Sequence, residues 1–221
     1  MDQLFINIHS HHPEESDTLA IQNVYIGMEG NLIPEKTQSE FKSIGIHPWF
    51  VTEESFVKQR TILNDQLASD DFFAIGECGL DRLRGPEIPF QLEVLKAQCQ
   101  LAEELGKPVI LHLVKAYSDI LAFQNVYNFS CPMVIHGFRG NATEATQLVK
   151  NGFYLSFGTA LLDNIPKLEA SFRHMPPDRI FLETDTAEIP VKQVYEKAAS
   201  LKEISLEKMI LHLKNNLETI R

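Results

Sequence analysis

Short apolar, β-branched runs alternate with amphipathic segments along the whole chain. The runs are LFINIH (4–9), QNVYIG (22–27), SIGIH (43–47), FFAIGE (72–77), PVILH (108–112), MVIH (133–136), FYLSF (153–157) and RIFLET (179–184). Most are apolar on both parities, as parallel strands buried on both faces must be. The segments between them carry helical signals. Thr52 opens TEES as an N-cap for a helix over 53–68. Segment 90–105 gathers Leu95, Cys99 and Ala102 on one face, and Gly106 then Pro108 end it. Segment 205–219 opens with Ser205 and repeats Leu206, Met209, Ile210, Leu213 and Leu217. This alternation predicts an α/β fold, a (β/α)8 TIM-type barrel, with the doubly wound open sheet as the second choice. Two irregularities mark the N-terminal part. Only about twelve residues separate the first two runs, so the first helix is missing or vestigial. Segment 28–42 admits at most a short second helix.

A chain of 221 residues is enough for one sizeable core, and a single domain over 1–221 is expected. No apolar run approaches the length of a membrane span, and the N-terminus lacks the basic-then-apolar order of a signal peptide. Cys78, Cys99 and Cys131 are scattered singly, which fits a reducing cytoplasm better than a disulfide frame. The net charge of −10 argues against sequence-independent binding to a nucleic-acid duplex. It leaves open an enzyme that takes a strand end, or a small phosphate-containing substrate, into a metal-loaded pocket. No membrane and no obligate protein partner is expected.

Barrel active sites lie at the carboxyl ends of the strands, so the residues ending each run carry the functional signal. The first run ends in His9 and His11, the third in His47, the fourth in Glu77, the fifth in His112, the sixth in His136 and the eighth at Asp185. His9 and His11 are two apart and share one face of a strand. Imidazole nitrogens and carboxylate oxygens suit Zn, Mn or Mg to different degrees. A carboxylate between imidazole pairs is what a bridged two-metal site needs. Each residue taken alone has a plainer reading: a satisfied core histidine, a buried acid paired with a base, or a helix cap. Their coincidence at successive strand ends points to a metal site. His47 is read as a substrate contact rather than a ligand. His12, before Pro13, points away from the pair; His174 is read as a loop residue and His212 as a solvated helix residue.

The stretches NIHSHHP, GIHPW, AIGECGLD, GKPVILH, VIHGFRG and RIFLETD run in an order that resembles the TatD-type metal-dependent hydrolases, a family of amidohydrolase-like barrels. The resemblance covers essentially the whole chain. It implies His9, His11, Glu77 and Asp185 around one metal, and Glu77, His112 and His136 around a second. It also implies hydrolysis, usually of DNA phosphodiesters from a strand end. The chain departs from that family at Asn7, where an Asp is usual. It departs again at Leu113–Lys115 after the fifth-strand histidine, at Arg139, and in the short segment after Asp185. The metal ligands are thus complete while the residues that would read the substrate are altered.

The expected chemistry is a metal-activated water, oriented and deprotonated by Asp185, with Glu77 bridging two divalent ions (Zn, Mg or Mn). Arg139, Lys115 and Arg82 are the candidate anion contacts, and Trp49 is placed to stack a base or to cap the core. The competing readings are hydrolysis of a small ester, amide or lactone, and a non-catalytic metal-binding barrel.

Overall fold

A computed structural model describes residues 4–34, 39–69 and 72–221. The chain divides into two compact units, one of Gln22–Met133 and one of Met1–Ile21 with Val134–Arg221. In chain order the strands are β1 (Phe5–Ser10), β2 (Thr18–Ile26), β3 (Leu32–Ile33), β4 (Lys42–Gly45), β5 (Ala74–Asp81), β6 (Val109–Val114), β7 (Met133–Ile135), β8 (Tyr154–Phe157) and β9 (Ile180–Leu182). The helices are α1 (Glu53–Ser69), α2 (Ile88–Leu105), α3 (Tyr117–Tyr127), α4 (Ala142–Lys150), α5 (Pro166–His174), α6 (Val191–Lys202) and α7 (Leu206–Ile220). Every predicted run holds a strand.

The irregular N-terminal part behaves as its sequence requires. No helix lies between β1 and β2 among the described residues, and β2 starts at Thr18 rather than 22. The short helix allowed over 28–42 is absent from the described residues there; 35–38 lie outside them. A turn takes its place: Gly27 N–H donates to the Asn31 carbonyl at 2.8 Å, and Gly30 adopts a φ of +83°. The chain then returns as β3, antiparallel to β2. Gly, Asn and Pro punctuate this stretch too densely for a helix. His174 also differs from its expected loop placement, since it ends α5.

In the unit 22–133, β2, β4, β5 and β6 pair in that order, all parallel. Val24, Ile26, Ile44, Ile46, Phe56, Leu63 and Val94 form the buried cluster beneath α1 and α2. The β5–β6 pairing is close: a Cβ on Gly79, whose φ is +146°, would lie 2.0 Å from the His112 carbonyl oxygen. Only glycine permits that approach.

Three glutamines on the inward faces of these helices bind strand-end backbone. Gln59 of α1 donates to the Ile26 carbonyl at 2.9 Å. Gln98 of α2 accepts from Ile46 N–H at 2.8 Å and donates to the Ile46 carbonyl at 3.1 Å. Gln91, two turns earlier on the same face, does the same for Asp81 at 2.7 and 2.9 Å. A buried backbone group left without a partner costs about 1–3 kcal/mol.

In the other unit β7, β8 and β9 pair in parallel, and β1 joins β9 through a parallel bridge of Ser10 with Asp185. Asn141 and Glu144 form a capping box at the start of α4. Ser205 caps α7, whose buried stripe is Met209, Ile210, Leu213, Leu217 and Ile220. Tyr195 of α6 is fully buried and packs edge-on to Phe5. Its hydroxyl accepts from Ile6 N–H and donates to the Ile6 carbonyl, both at 2.9 Å.

Tyr195→Phe leaves that N–H and carbonyl without their partner. It is expected to cost about 1–3 kcal/mol of stability, seen as a lower urea midpoint at unchanged slope.

Candidate metal centres

The strand ends of each unit carry a cluster of ligand-type side chains. In the unit 22–133, Glu77 lies within the all-buried strand β5, beside an irregularity in the pairing with β6 between Ile75 and Cys78. Such a bulge re-aims a side chain. Glu77 is 5% exposed. Its Oε1 lies 2.9 Å from His112 Nδ1 and 3.2 Å from His47 Nε2. Asn23 of β2 accepts from Glu77 N–H at 2.9 Å and is itself held by the Ser43 hydroxyl at 3.2 Å. Ligand atoms of His47, Glu77 and His112 all fall within 4.8 Å of one another.

The surroundings of this cluster orient it. His112 Nε2 is 3.2 Å from Asp81 Oδ2, which also accepts from the Trp49 indole N–H at 2.6 Å. Burial pushes the Asp81 carboxyl up, but Trp49, the Leu83 amide and His112 together hold it below the usual range. His47 Nδ1 accepts from Trp49 N–H at 3.0 Å, which leaves its Nε2 for the cluster. A carboxylate behind a ligating histidine fixes the ring and raises its basicity.

In the other unit, His9, His136 and Asp185 offer ligand atoms within 4.8 Å of one another. Asp185 Oδ1 is 3.6 Å from His9 Nε2 and 3.5 Å from His11 Nε2. The β1–β9 bridge sets this geometry: Asp185 N–H donates to the His9 carbonyl at 3.1 Å and His11 N–H to the Asp185 carbonyl at 3.0 Å. Asp185 has a φ of +54°, a left-handed conformation that turns the chain just past the strand. Glu183 backs this cluster. It is completely buried, accepts from Gly137 N–H at 2.7 Å and lies 3.6 Å from His136 Nδ1. Burial pushes its carboxyl up; His136, His9 and Ser156 outweigh that and leave it below the usual range.

Asn7 sits beneath this cluster with its amide committed. Its Nδ2 donates to Glu14 Oε1 at 2.5 Å and to the Thr184 hydroxyl at 2.8 Å, and its Oδ1 accepts from Thr184 N–H at 3.2 Å. Burial outweighs those bonds at Glu14 and raises its carboxyl above the usual range.

His9, His11, His136 and Asp185 are therefore brought together within one unit, and Glu77 and His112 within the other. His47, expected as a substrate contact, stands among the second group. Of the expected anion contacts, Arg82 is bound bidentately by Asp119 at 2.6 and 2.7 Å, and Lys115 and Arg139 are exposed. His12 lies outside the cluster, 3.1 Å from the Thr186 carbonyl. Asp81, Glu183 and Asn23 went unrecognised in the sequence. Asp81 and Glu183 nevertheless had a signal, even spacing from a ligand of the same strand end, four after Glu77 and two before Asp185; Asn23 had only its place as a polar residue inside an apolar run. The donor sets fit divalent metal ions, since carboxylate oxygens converge with imidazole nitrogens and each centre has a buried carboxylate behind it.

A barrel-type chain with such strand ends has the build of a metal-dependent enzyme. The model of the TatD-related DNase family matches residues 30–220, and the chain belongs to that family. An uncharacterized metal-dependent hydrolase of Escherichia coli, YcfH, is 32% identical over 195 residues, covering 81% of this chain and 72% of the relative. A 3'-5' ssDNA/RNA exonuclease TatD of Edwardsiella piscicida is 33% identical over 143 residues, covering 62% of this chain and 55% of the relative. The crystal structure of a TatD homologue from Escherichia coli superposes with a TM-score of 0.80 at 22% identity, covering 100% of this chain and 98% of that one. The fold class is thus α/β of the (β/α)8 TIM type, not the doubly wound sheet. Among the described residues no helix is long and apolar enough to cross a membrane.

Asp81→Asn removes the charge behind His112 and opposes an amide N–H to the Trp49 indole or to the loop amides. Zinc affinity is expected to fall about 10–100-fold, measured by competition with a chromophoric chelator.

Proposed function

We propose that this chain hydrolyses phosphodiester bonds at the ends of single-stranded nucleic acid, using two divalent ions of the Zn, Mn or Mg type. The proposed ligands are His9, His11, His136 and Asp185 from one unit and Glu77, His112 and His47 from the other. The observation that carries the reading is Asp185. Its carboxylate is within 3.6 Å of two imidazoles, yet its side chain is 41% exposed. A group so placed belongs to the ligand cluster and still meets water and substrate. The family membership and the exonuclease relative support the phosphodiester as the bond attacked.

Divalent ions held by these residues would supply an acidified water and would neutralise charge on the phosphoryl oxygens. The chain's own groups do the rest. Asp185 orients the water and accepts its proton at a carboxylate oxygen. Asp81 and Glu183 hold His112 and His136 in their orientations, and Asn23 holds the backbone of Glu77. The buried free thiols Cys78, Cys99 and Cys131 support a reducing compartment such as the cytoplasm.

Hydrolysis of a small ester, amide or lactone is the second reading, favoured by one observation. A cavity of about 340 Å³ is lined by His12, Glu14, Glu15 and Glu188 with Pro13 and Ile189. Its carboxylates repel an extended polyanion.

Protein stripped with chelator is expected to lose hydrolysis of a single-stranded oligonucleotide and to regain it with Mn²⁺, Mg²⁺ or Zn²⁺. Asp185→Asn should lower kcat by about 10²–10⁴-fold, the span for a lost proton-transfer group. Inertness of the restored wild type on oligonucleotides, with turnover of small esters or amides, selects the second reading.

A further inference from the structure

We propose that Arg84, held over the Trp49 indole, grips a phosphate group of the substrate beside the His47–Glu77–His112 cluster; this rests on the phosphoesterase reading above. The Arg84 guanidinium carbon lies 4.0 Å over the centre of the indole. The indole lies 5.3 Å from the His112 ring and 4.9 Å from the His47 ring, centre to centre. These spacings bound how far the guanidinium can stand from the cluster, and they suit a phosphate whose neighbouring ester is under attack. Arg84 is exposed and forms no ion pair among the described residues. A guanidinium carries its N–H donors in a rigid planar fork that matches a phosphate.

The loop that presents Arg84 is built from buried parts. Asp81 Oδ1 accepts from Leu83 N–H at 2.7 Å and from Arg84 N–H at 3.1 Å. Gln91 donates to the Arg84 carbonyl at 3.3 Å and to the Pro86 carbonyl at 2.6 Å. Gly85 has a φ of +91°, and a Cβ there would lie 2.3 Å from the Pro48 carbonyl oxygen. The loop is therefore pressed onto the Pro48–Trp49 turn, and only glycine allows it. One side of this assembly is Asp81, the same carboxylate that orients His112. A surface cation–π contact alone contributes about 0.5–1 kcal/mol and requires no such support. The neighbouring cation has other work: Arg82 is bound by Asp119. Arg84 also covers one face of Trp49, so the indole serves as a platform for the arginine on that side rather than for a base.

Trp49 is the only tryptophan of the chain, so its emission reports on this stack. Metal-loaded wild type, Arg84→Lys and Arg84→Ala are titrated with inorganic phosphate, thymidine 5′-monophosphate and a short oligothymidylate. Emission and calorimetry give the affinities, and elemental analysis confirms equal metal content. The expected result is saturable binding to wild type, at least about tenfold weaker in Arg84→Ala and intermediate in Arg84→Lys, which lacks the fork. On oligonucleotide substrate KM should rise by the same factor while kcat holds. Tighter binding of the oligonucleotide assigns the phosphate to a strand; equal binding of the three assigns it to a small phosphate ester. Absence of binding to wild type, or equal affinity in Arg84→Ala at equal metal content, overturns the proposal. A wild type that binds phosphate through Arg84 yet hydrolyses no phosphodiester retains the anion grip and sinks the phosphoesterase reading instead.

Discussion

A carboxylate buried inside a sheet organises the unit 22–133. Removing an ionised carboxyl from water costs several kcal/mol unless donors and opposite charge surround it. Glu77 is met by two imidazoles and the Asn23 amide, and each of these arrives from a different strand or the loop that follows it. The strands carrying them are therefore fixed in register relative to β5, and β6 comes so near that Gly79 has no room for a side chain. Such a pocket is a poor investment for stability alone, since an apolar replacement would pack without the desolvation cost. Its worth lies in the cation that it can hold.

The fold was legible because strand period and helix period differ, and the chain alternates between them with few ambiguous stretches. The ligands were legible for a related reason. A barrel brings successive strand ends to one rim, so ligand-type residues at those positions could be listed without knowing any distance. The residues that escaped notice act through partners distant in sequence. Gln91 and Gln98 lie on the apolar face of α2, and only the folded backbone of Asp81 and Ile46 reveals why a polar residue belongs there. Asp81 and Glu183 stood in the most specific motifs, yet their targets, His112 and His136, lie on other strands. The surroundings of Arg82 could not be read from sequence, because past a strand end no period says which side chain faces inward. Asp119, which pairs with it, lies thirty-seven residues on.

The Asn7–Glu14 contact shows how the departure at Asn7 is absorbed. The family's usual acid is absent at position 7, and a carboxylate reaches the same place from the segment after β1. Glu14 accepts from the Asn7 amide and from Thr184. A carboxyl group from the segment after β1 thus lies against both the Asn7 amide and Thr184.

The glutamines on α1 and α2 have a further consequence. Every group proposed to hold an ion is an acid or a base, and the charge of each varies with pH and with metal loading. The struts that hold the backbone at Ile26, Ile46 and Asp81 are primary amides, which do not titrate and bind hard cations only weakly. Mechanical support and chemical reactivity are thus assigned to different functional groups. The scaffold of this unit is built to stay in place through the changes of protonation that a catalytic cycle imposes on the side chains it carries.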